Sequence, residues 1–443
     1  MRIQSWGGMG AEIASLARPA FSCELAACIA RPRHTEAAKC LVIGNLRSYG
    51  DEVLSVDGRY VQTTRCARVI AIDRESGTLT AECGVSVDAL QRLVEPLGYE
   101  LPVTPGTAFL TLGGAIANDV HGKNHHVAGT FGCHVERFEL ARSTGEVVQC
   151  SATENPDWFC ATVGGMGLTG AITWATIRLR QVATPWLTVQ SQRFGNLNEF
   201  FEIDEQKGRS NEYTVAWIDC LATGKSLGRG IYSVANPTCP DAANAAPAPR
   251  RSNGFRASVP MQLPVSPVNR LTLSLMNAVY YEAHRAKPRQ VHYRQWLYPL
   301  DSIGHWNRLY GPAGFRQFQC VVPPHRARDA VGEMLATIAA LGQGSFLAVL
   351  KNFGDARSPG LMSFPMPGTT LALDFANRGV RTTELLMKLH QITAAAGGRL
   401  YAAKDGCSPA DSLAGGYPNF AQFKGMIDPG MGSVFAQRLQ LIG

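Results

Sequence analysis

The sequence carries 12 cysteines but no Cys-x-x-Cys pair, so zinc-ribbon and thioredoxin-like centres are excluded. Its thiols are scattered. Cys66, Cys83, Cys150 and Cys320 sit beside apolar residues, which reads as reduced, packed thiols of a cytosolic chain. No apolar run is long enough to span a bilayer, and the first ten residues lack the apolar core of a signal peptide. The expectation is a cytoplasmic protein, peripheral to the inner membrane face at most. No block of Lys and Arg, zinc-finger spacing or RNA-binding aromatic signature occurs, so nucleic acid is not an expected partner. The excess of 42 Lys+Arg over 35 Asp+Glu leaves a formal charge of +7. That mild excess suits an anionic cofactor, an anionic substrate or the edge of an anionic membrane.

What is present is enough chain for two domains: 443 residues, 45% hydrophobic and 17% charged. Residues 40–43, 68–72 and 79–83 read as strands. Ser86 can cap a helix that sets Val87, Leu90, Val94 and Leu97 on one face. Residues 102–118 form a glycine-rich apolar loop, 138–150 a hairpin, 164–170 a second glycine cluster and 171–179 another strand. After about residue 181 aromatic residues become frequent. The Pro/Ala/Asn-rich stretch 237–251 reads as an exposed loop. Residues 254–294 mix apolar side chains with Arg256, Arg270, Arg285, Lys287, Arg289 and Arg294. Further on, a helix carries Val331, Met334, Leu335 and Ile338 on one face. Strands are expected at 345–353 and 370–375, and a helix over 383–396 stops at Gly397-Gly398.

Four glycine-bearing segments lie within residues 44–170. The first holds Gly44, Asn45, Arg47, Ser48, Tyr49, Gly50 and Asp51. The second holds Pro105, Gly106, Thr107, Thr111, Gly113, Gly114, Ala115 and Asn118. The third holds His121, Gly122, Lys123 and Asn124, and the fourth Gly167 and Thr169. Each offers backbone N–H groups beside small side chains, a nest suited to pyrophosphate, and Ser48, Thr111, Asn118 and Thr169 add neutral donors. None fits the strand-to-helix G-x-G-x-x-G fingerprint, and no Walker A sequence occurs, so a Rossmann-type fold is not expected. One such segment is equally well a tight turn. Four within one third of a chain point to a cofactor.

These segments, in this order, resemble the FAD-binding domain of the vanillyl-alcohol oxidase superfamily, and within it the decaprenylphosphoryl-β-D-ribose 2′-oxidases. Arg47-Ser48-Tyr49-Gly50-Asp51 and Val120-His121-Gly122-Lys123-Asn124-His125-His126 are nearly letter for letter that family's motifs. So are Ala161-Thr162-Val163-Gly164-Gly165, Gly167-Leu168-Thr169-Gly170 and, later, Trp306-Asn307-Arg308, residues 310–315, Ser345-Phe346-Leu347 and Gly398-Arg399-Leu400-Tyr401. The likeness runs nearly end to end. It implies an α+β fold: a two-part FAD-binding domain over residues 1–184 and 399–443, and an antiparallel-sheet substrate domain with flanking helices over 185–398. Superfamily members often tether flavin through His or Cys, and neither occurs in 44–51 or 105–118, so the expected FAD is non-covalent. Ile172 and Tyr401 join the segments above as cofactor-binding positions.

Oxidising an alcohol at a flavin needs a hydride-donating carbon, a base for the hydroxyl proton and stabilisation of the charge received by the flavin. By the resemblance, Lys404 stands at the reacting face, with Tyr49 and His121 lining the active cavity. Lys404 could serve as a desolvated base or as a fixed positive charge; a surface lysine paired with Asp405 is the plain alternative. Gln317 and Gln319 alternate with Phe318, so on a strand both amides face one side and could hold sugar hydroxyls. Lys123, Lys351 and Arg308 are candidate cations of the substrate site. Trp217, Leu347, Val349 and Ala372 are its candidate walls, and core packing explains the apolar ones nearly as well. His121, His125, His126 and His134 do not make a metal site: sharing a face would need a helix that Gly122 opposes, and no H-E-x-x-H occurs.

Three positions depart from the family pattern. Ala372 replaces a cysteine that captures inhibitors covalently, Thr370 replaces an asparagine and Leu297 a tyrosine. The implied activity is oxidation of the 2′-hydroxyl of a polyprenylphosphoryl-β-D-ribose, a lipid-linked sugar phosphate, to the 2-keto sugar. A separate NAD(P)H-dependent short-chain reductase would complete epimerisation to the arabinose donor. Oxidation of a soluble polyol, aldonolactone or natural-product alcohol is the alternative. A flavin-binding scaffold without turnover is the third, opposed by the presence of Lys404, Tyr49 and His121 together.

Overall fold

Two antiparallel sheets and a small parallel one organise the computed structural model, which describes residues 2–30, 38–239 and 258–442. Most of the loop expected at 237–251, and Arg256, therefore lie outside the described residues. The parallel sheet orders Ser15–Ala17, Arg59–Gln62 and Cys40–Ile43. The five-stranded sheet orders Val147–Ser151, Val135–Ala141, Ala171–Arg178, Thr78–Glu82 and Val69–Asp73. Its central strand, Ala171–Arg178, is buried along nearly its whole length, which is why that run is almost continuously apolar. The Ser86 hydroxyl accepts from Ala89 N and starts the helix Val87–Val94, whose Val87, Leu90 and Val94 are buried. Leu97 falls in the following 3-10 turn Glu95–Leu97.

The eight-stranded sheet is antiparallel throughout. Its order is Arg289–His292, Trp186–Phe194, Gly230–Pro237, Tyr213–Ile218, Ala348–Phe353, Gly368–Ala376, Phe315–Val322 and Arg399–Leu400. Period-two alternation gives it two unlike faces. One face packs Phe318, Cys320, Leu350, Leu371 and Leu373 against the helices Leu197–Lys207, Pro324–Leu341 and Val380–Ala395. The other presents Gln317, Gln319, Val349, Lys351, Ala372 and Asp374. A slip of one residue would drive Lys351 and Asp374 into the apolar core and expose leucines worth about 1.5–3 kcal/mol each, so the register is tightly specified.

The strand Arg399–Leu400 pairs with Val321 and Cys320 and hands the chain to the turn Ala402–Lys404 at the edge of the polar face. The remaining residues return to the glycine-rich side, where Phe423 and Phe435 pack with Ala161 and Leu168, and Met431 bridges to Cys40.

Three expectations need correction. The loop over 102–118 contains a helix, Leu112–Ala117, because Thr111 accepts from Gly114 N at 3.2 Å and caps it. The strand expected from 345 begins only at Ala348–Phe353, because the Ser345 hydroxyl donates to Leu347 O at 2.8 Å and accepts from Asp374 N at 2.9 Å. Within 254–294 the mixed composition resolves into the helix Arg270–Ala283, capped by Asn269.

Candidate active site

A narrow cleft opens between the glycine-rich segments. Gly44, Asn45, Ser48, Thr111, Gly113 and Gly114 line it, with Asn118, Gly167, Ile172 and Tyr401 opposite. The segments are sewn directly to one another. Asn45 Nδ2 donates to Phe109 O at 3.0 Å, and a Cβ on Gly44 would stand 2.4 Å from Thr111 Oγ1. Residues 165–170 do spell G-M-G-L-T-G, but they run from the helix Pro156–Thr162 into the strand Ala171–Arg178. That is the reverse of the dinucleotide fingerprint, which leaves a strand and opens a helix. Two buried polar atoms of the cleft have no hydrogen-bond partner in the protein: Arg47 Nε and Asn118 Oδ1. Orphans of both signs, donor and acceptor, describe a cleft completed by a polar ligand.

A second cavity of about 390 Å³ adjoins the first and shares with it Arg47, Tyr49, Pro105, Thr107, Tyr401 and Lys404. Lys404 stands on this common wall, its Nζ 3.7 Å from the centre of the Tyr49 ring. Burial pulls its pKa below the ordinary lysine value, and the carboxylates of Asp374 and Glu52 oppose that fall. Asp374 is fully buried and receives the Gln317 amide. Burial raises its pKa, against the Gln317 bond and the nearby Lys404.

Register brings the sheet's contribution together. Gln317 lies opposite Asp374, Gln319 opposite Ala372, and Ala372 opposite Val349. His121 lies between two donors, Nε2 at 3.0 Å from Gln319 Nε2 and Nδ1 at 3.1 Å from Lys351 Nζ, and a neutral ring accepts from one of them. Burial, then the Lys351 charge, hold the ring well below the usual histidine pKa, and therefore neutral. Lys351 also donates to Gly122 O, while Lys123 donates to Trp296 O and lies 4.6 Å from that indole. Burial lowers both lysines to about 7. Leu347 lines the same cavity, as do Leu297, Thr370 and Gly106.

A model of an FAD binding domain matches residues 14–151. The chain is 32% identical to the decaprenylphosphoryl-β-D-ribose oxidase of Mycolicibacterium smegmatis over 457 aligned positions, covering 100% of this chain and 98% of that protein. It belongs to the decaprenylphosphoryl-β-D-ribose oxidase family. A further relative, an uncharacterised protein of Streptomyces coelicolor, is 33% identical and covers 80% of this chain and 98% of itself. The mouse L-gulonolactone oxidase is 28% identical over only 32% of this chain and 31% of its own length.

Membership makes this an FAD-dependent oxidoreductase, and the cleft fits that cofactor. The glycines leave backbone open to a pyrophosphate, and the orphaned Arg47 Nε and Asn118 Oδ1 leave one donor and one acceptor for a polar ligand such as a flavin nucleotide to meet. The expected cofactor positions do not all line the cleft. Five predicted cofactor positions stand behind the lining. Gly50 is pressed against Asp405 O, and Asp51 pairs with Arg438 at 2.8 Å. Ala115 is buried in its helix, Asn124 donates to Pro102 O at 2.9 Å, and Thr169 bonds Thr162 at 2.9 Å. Two predicted substrate residues also fall outside the cavity. Trp217 packs 4.8 Å from Tyr280, and Arg308 donates to Val259 O and Pro260 O at 2.9 and 2.8 Å.

His121 and His125 do share a wall without one helix carrying both, His121 meeting Phe353 edge-on at 4.9 Å and His125 meeting it tilted at 4.5 Å. The metal-like cluster among the described residues lies elsewhere, at His390, Asp405 and Cys407, where Asp405 is already bonded to Arg438 at 2.8 Å. Sequence reading missed Asp374 and Glu52. Asp374 had a usable signal, since it continues the alternation of Thr370 and Ala372. Glu52 had none beyond its place next to Asp51.

Proposed function

We propose that this protein oxidises the 2′-hydroxyl of a polyprenylphosphoryl-β-D-ribose to the 2-keto sugar. The observation that carries the reading is Lys404, held on the wall common to the cofactor cleft and the polar cavity, with Asp374 beside it. FAD supplies the hydride acceptor. Lys404 takes the hydroxyl proton, its amine favoured by burial and its proton passed toward Asp374. Gln317 and Gln319 hold the sugar hydroxyls, neutral His121 accepts at one ring nitrogen from either Gln319 or Lys351, and Lys123 and Lys351 give the cavity its affinity for an anionic substrate. Residues 1–184 and 399–443 make up the cofactor domain in this reading, and 185–398 the substrate domain. An NAD(P)H-dependent reductase completes epimerisation, and contact with the inner membrane face follows from a lipid-borne substrate.

The test is anaerobic. Polyprenylphosphoryl-ribose added to the yellow protein is expected to bleach it and yield a 2-keto product. A flavin that stays oxidised with this lipid but bleaches with a soluble polyol or aldonolactone overturns the substrate assignment in favour of the alternative.

Two further outcomes follow from the lining. Cys83 faces the cleft, but burial holds its thiol well above the ordinary range, so no thiolate is available to bond the cofactor. Acid precipitation is expected to leave FAD in the supernatant; yellow colour retained in the pellet would mean a covalent tether. Ala372 occupies the sheet position between Gln319 and Val349 with no nucleophile. Turnover in the presence of a nitroaromatic inhibitor of the family is therefore expected to leave the protein's mass unchanged, and an adduct would contradict this.

A further inference from the structure

The helix Arg270–Ala283 is inside out. Its inward side carries Leu273 and the polar Asn277, which is 1% exposed and donates to Asp219 at 2.8 Å. Its outward side carries Leu271, Leu275, Met276, Val279 and Tyr280, exposed by 79, 66, 46, 59 and 54%. Positions 271, 275 and 279 follow one helical row and 276 and 280 flank it, so these side chains make one continuous apolar stripe. Met261 and Val265, 66% and 79% exposed, extend the apolar surface along the chain that leads into the helix. Scattered exposed apolar residues are ordinary; a stripe of five on one helix marks an interaction surface.

Charge identifies the partner. Arg270, Arg285, Lys287 and Arg289 are all exposed at or just beyond the helix ends. The one acid in residues 270–289, Glu282, is paired with Arg193 at 2.8 Å. An apolar row bordered by cations that have no ion-pair partner among the described residues is the pattern of a helix that lies in the interface of an anionic bilayer. No helix among the described residues is long and apolar enough to cross a membrane, so the helix lies on the bilayer rather than through it.

Position ties this surface to the cavity. Leu273 packs in one cluster with Trp306, Leu300 and Trp6, all of which line the cavity. The approach to the helix is stitched to the cavity lip, with Val259 N donating to Gly304 O at 2.9 Å and Ile303 and Gly304 on the lining.

We infer that the outer face of Arg270–Ala283, with its flanking arginines and lysine, docks on an anionic phospholipid surface and sets the cavity mouth against the bilayer. The inference deepens the proposed function, since its purpose rests on a substrate carried by a lipid. The FAD-loaded protein is expected to co-sediment with vesicles of phosphatidylcholine and phosphatidylglycerol, and much less with phosphatidylcholine alone. Leu275→Glu with Val279→Glu, both pointing into solvent and so harmless to packing, is expected to weaken vesicle binding about a hundredfold. The triple change Arg285→Gln, Lys287→Gln, Arg289→Gln is expected to abolish the preference for phosphatidylglycerol. The double variant is further expected to bleach normally with a short-chain, water-soluble ribosyl phospholipid while losing turnover of vesicle-borne substrate. Wild-type vesicle binding by the double variant overturns the inference, as does a wild-type dimer that the double change makes monomeric. Wild-type protein that binds anionic vesicles yet bleaches with no ribosyl lipid leaves the surface standing and removes only the substrate reading.

Discussion

Lys404→Met is expected to slow substrate-dependent bleaching about a thousandfold, the middle of the range for a positioned acid or base, while leaving FAD bound. The side chain is nearly isosteric, so the packing against Tyr49 survives and only the nitrogen is lost. The pH profile separates the two roles open to this lysine. Burial lowers its pKa and the Asp374 and Glu52 carboxylates raise it, leaving the neutral form within reach of ordinary pH. If the amine is the base, the single-turnover rate rises with pH as the ammonium loses its proton, and the residual rate of the variant is flat across the same window. Asp374→Asn checks the sign. Removing a negative neighbour lets the lysine pKa fall further, so the rising limb moves to lower pH. A rate that falls as pH rises, in the wild type, would mean that the ammonium is the working form and that the proton leaves by another route.

Much of this site was legible before any coordinates, and the reasons are local. Gln317 and Gln319 show their common face through strand alternation alone, and Ser86 announces its helix through capping chemistry. Glycine nests announce a cofactor because backbone approach demands small residues. What escaped depends on distance in the chain. Arg308 lies in a family motif and Trp217 was expected as an apolar wall, yet neither lines the cavity: Tyr280 and the carbonyls of Val259 and Pro260 claim those side chains first. Glu52 acquires meaning only when the turn bearing Lys404 folds back beside it, a juxtaposition that no periodicity encodes. The stripe on Arg270–Ala283 was read as mixed composition for a similar reason. Its apolar residues have helical spacing, but only the fold decides that they face outward.

Gly50→Ala is expected to yield a protein that has lost most of its FAD. A Cβ at this position would stand 1.6 Å from the backbone oxygen of Asp405 and 2.6 Å from its carbonyl carbon. Neither atom belongs to a side chain that can rotate away, so the strain must separate the segment Arg47–Asp51 from the turn Ala402–Lys404. Those two segments are touching jaws of the cleft, and Lys404 rides on one of them. Arg438 holds the same jaws from behind, donating to Asp51 at 2.8 and 3.0 Å and to Asp405 at 2.8 Å. The Asp51 and Asp405 side chains are only 2% and 4% exposed. Arg438→Met would strand two carboxylates in a nearly dry site, and is expected to cost about 3–5 kcal/mol. The two variants therefore differ in what added FAD can do. Arg438→Met lowers the thermal midpoint of the apoprotein and regains part of it with excess FAD by mass action. Gly50→Ala regains little, because its defect is the shape of the cleft itself. Wild-type flavin content in Gly50→Ala would show that the jaws need not meet, and with it would fall the claim that their contact is what presents Lys404 to the cofactor.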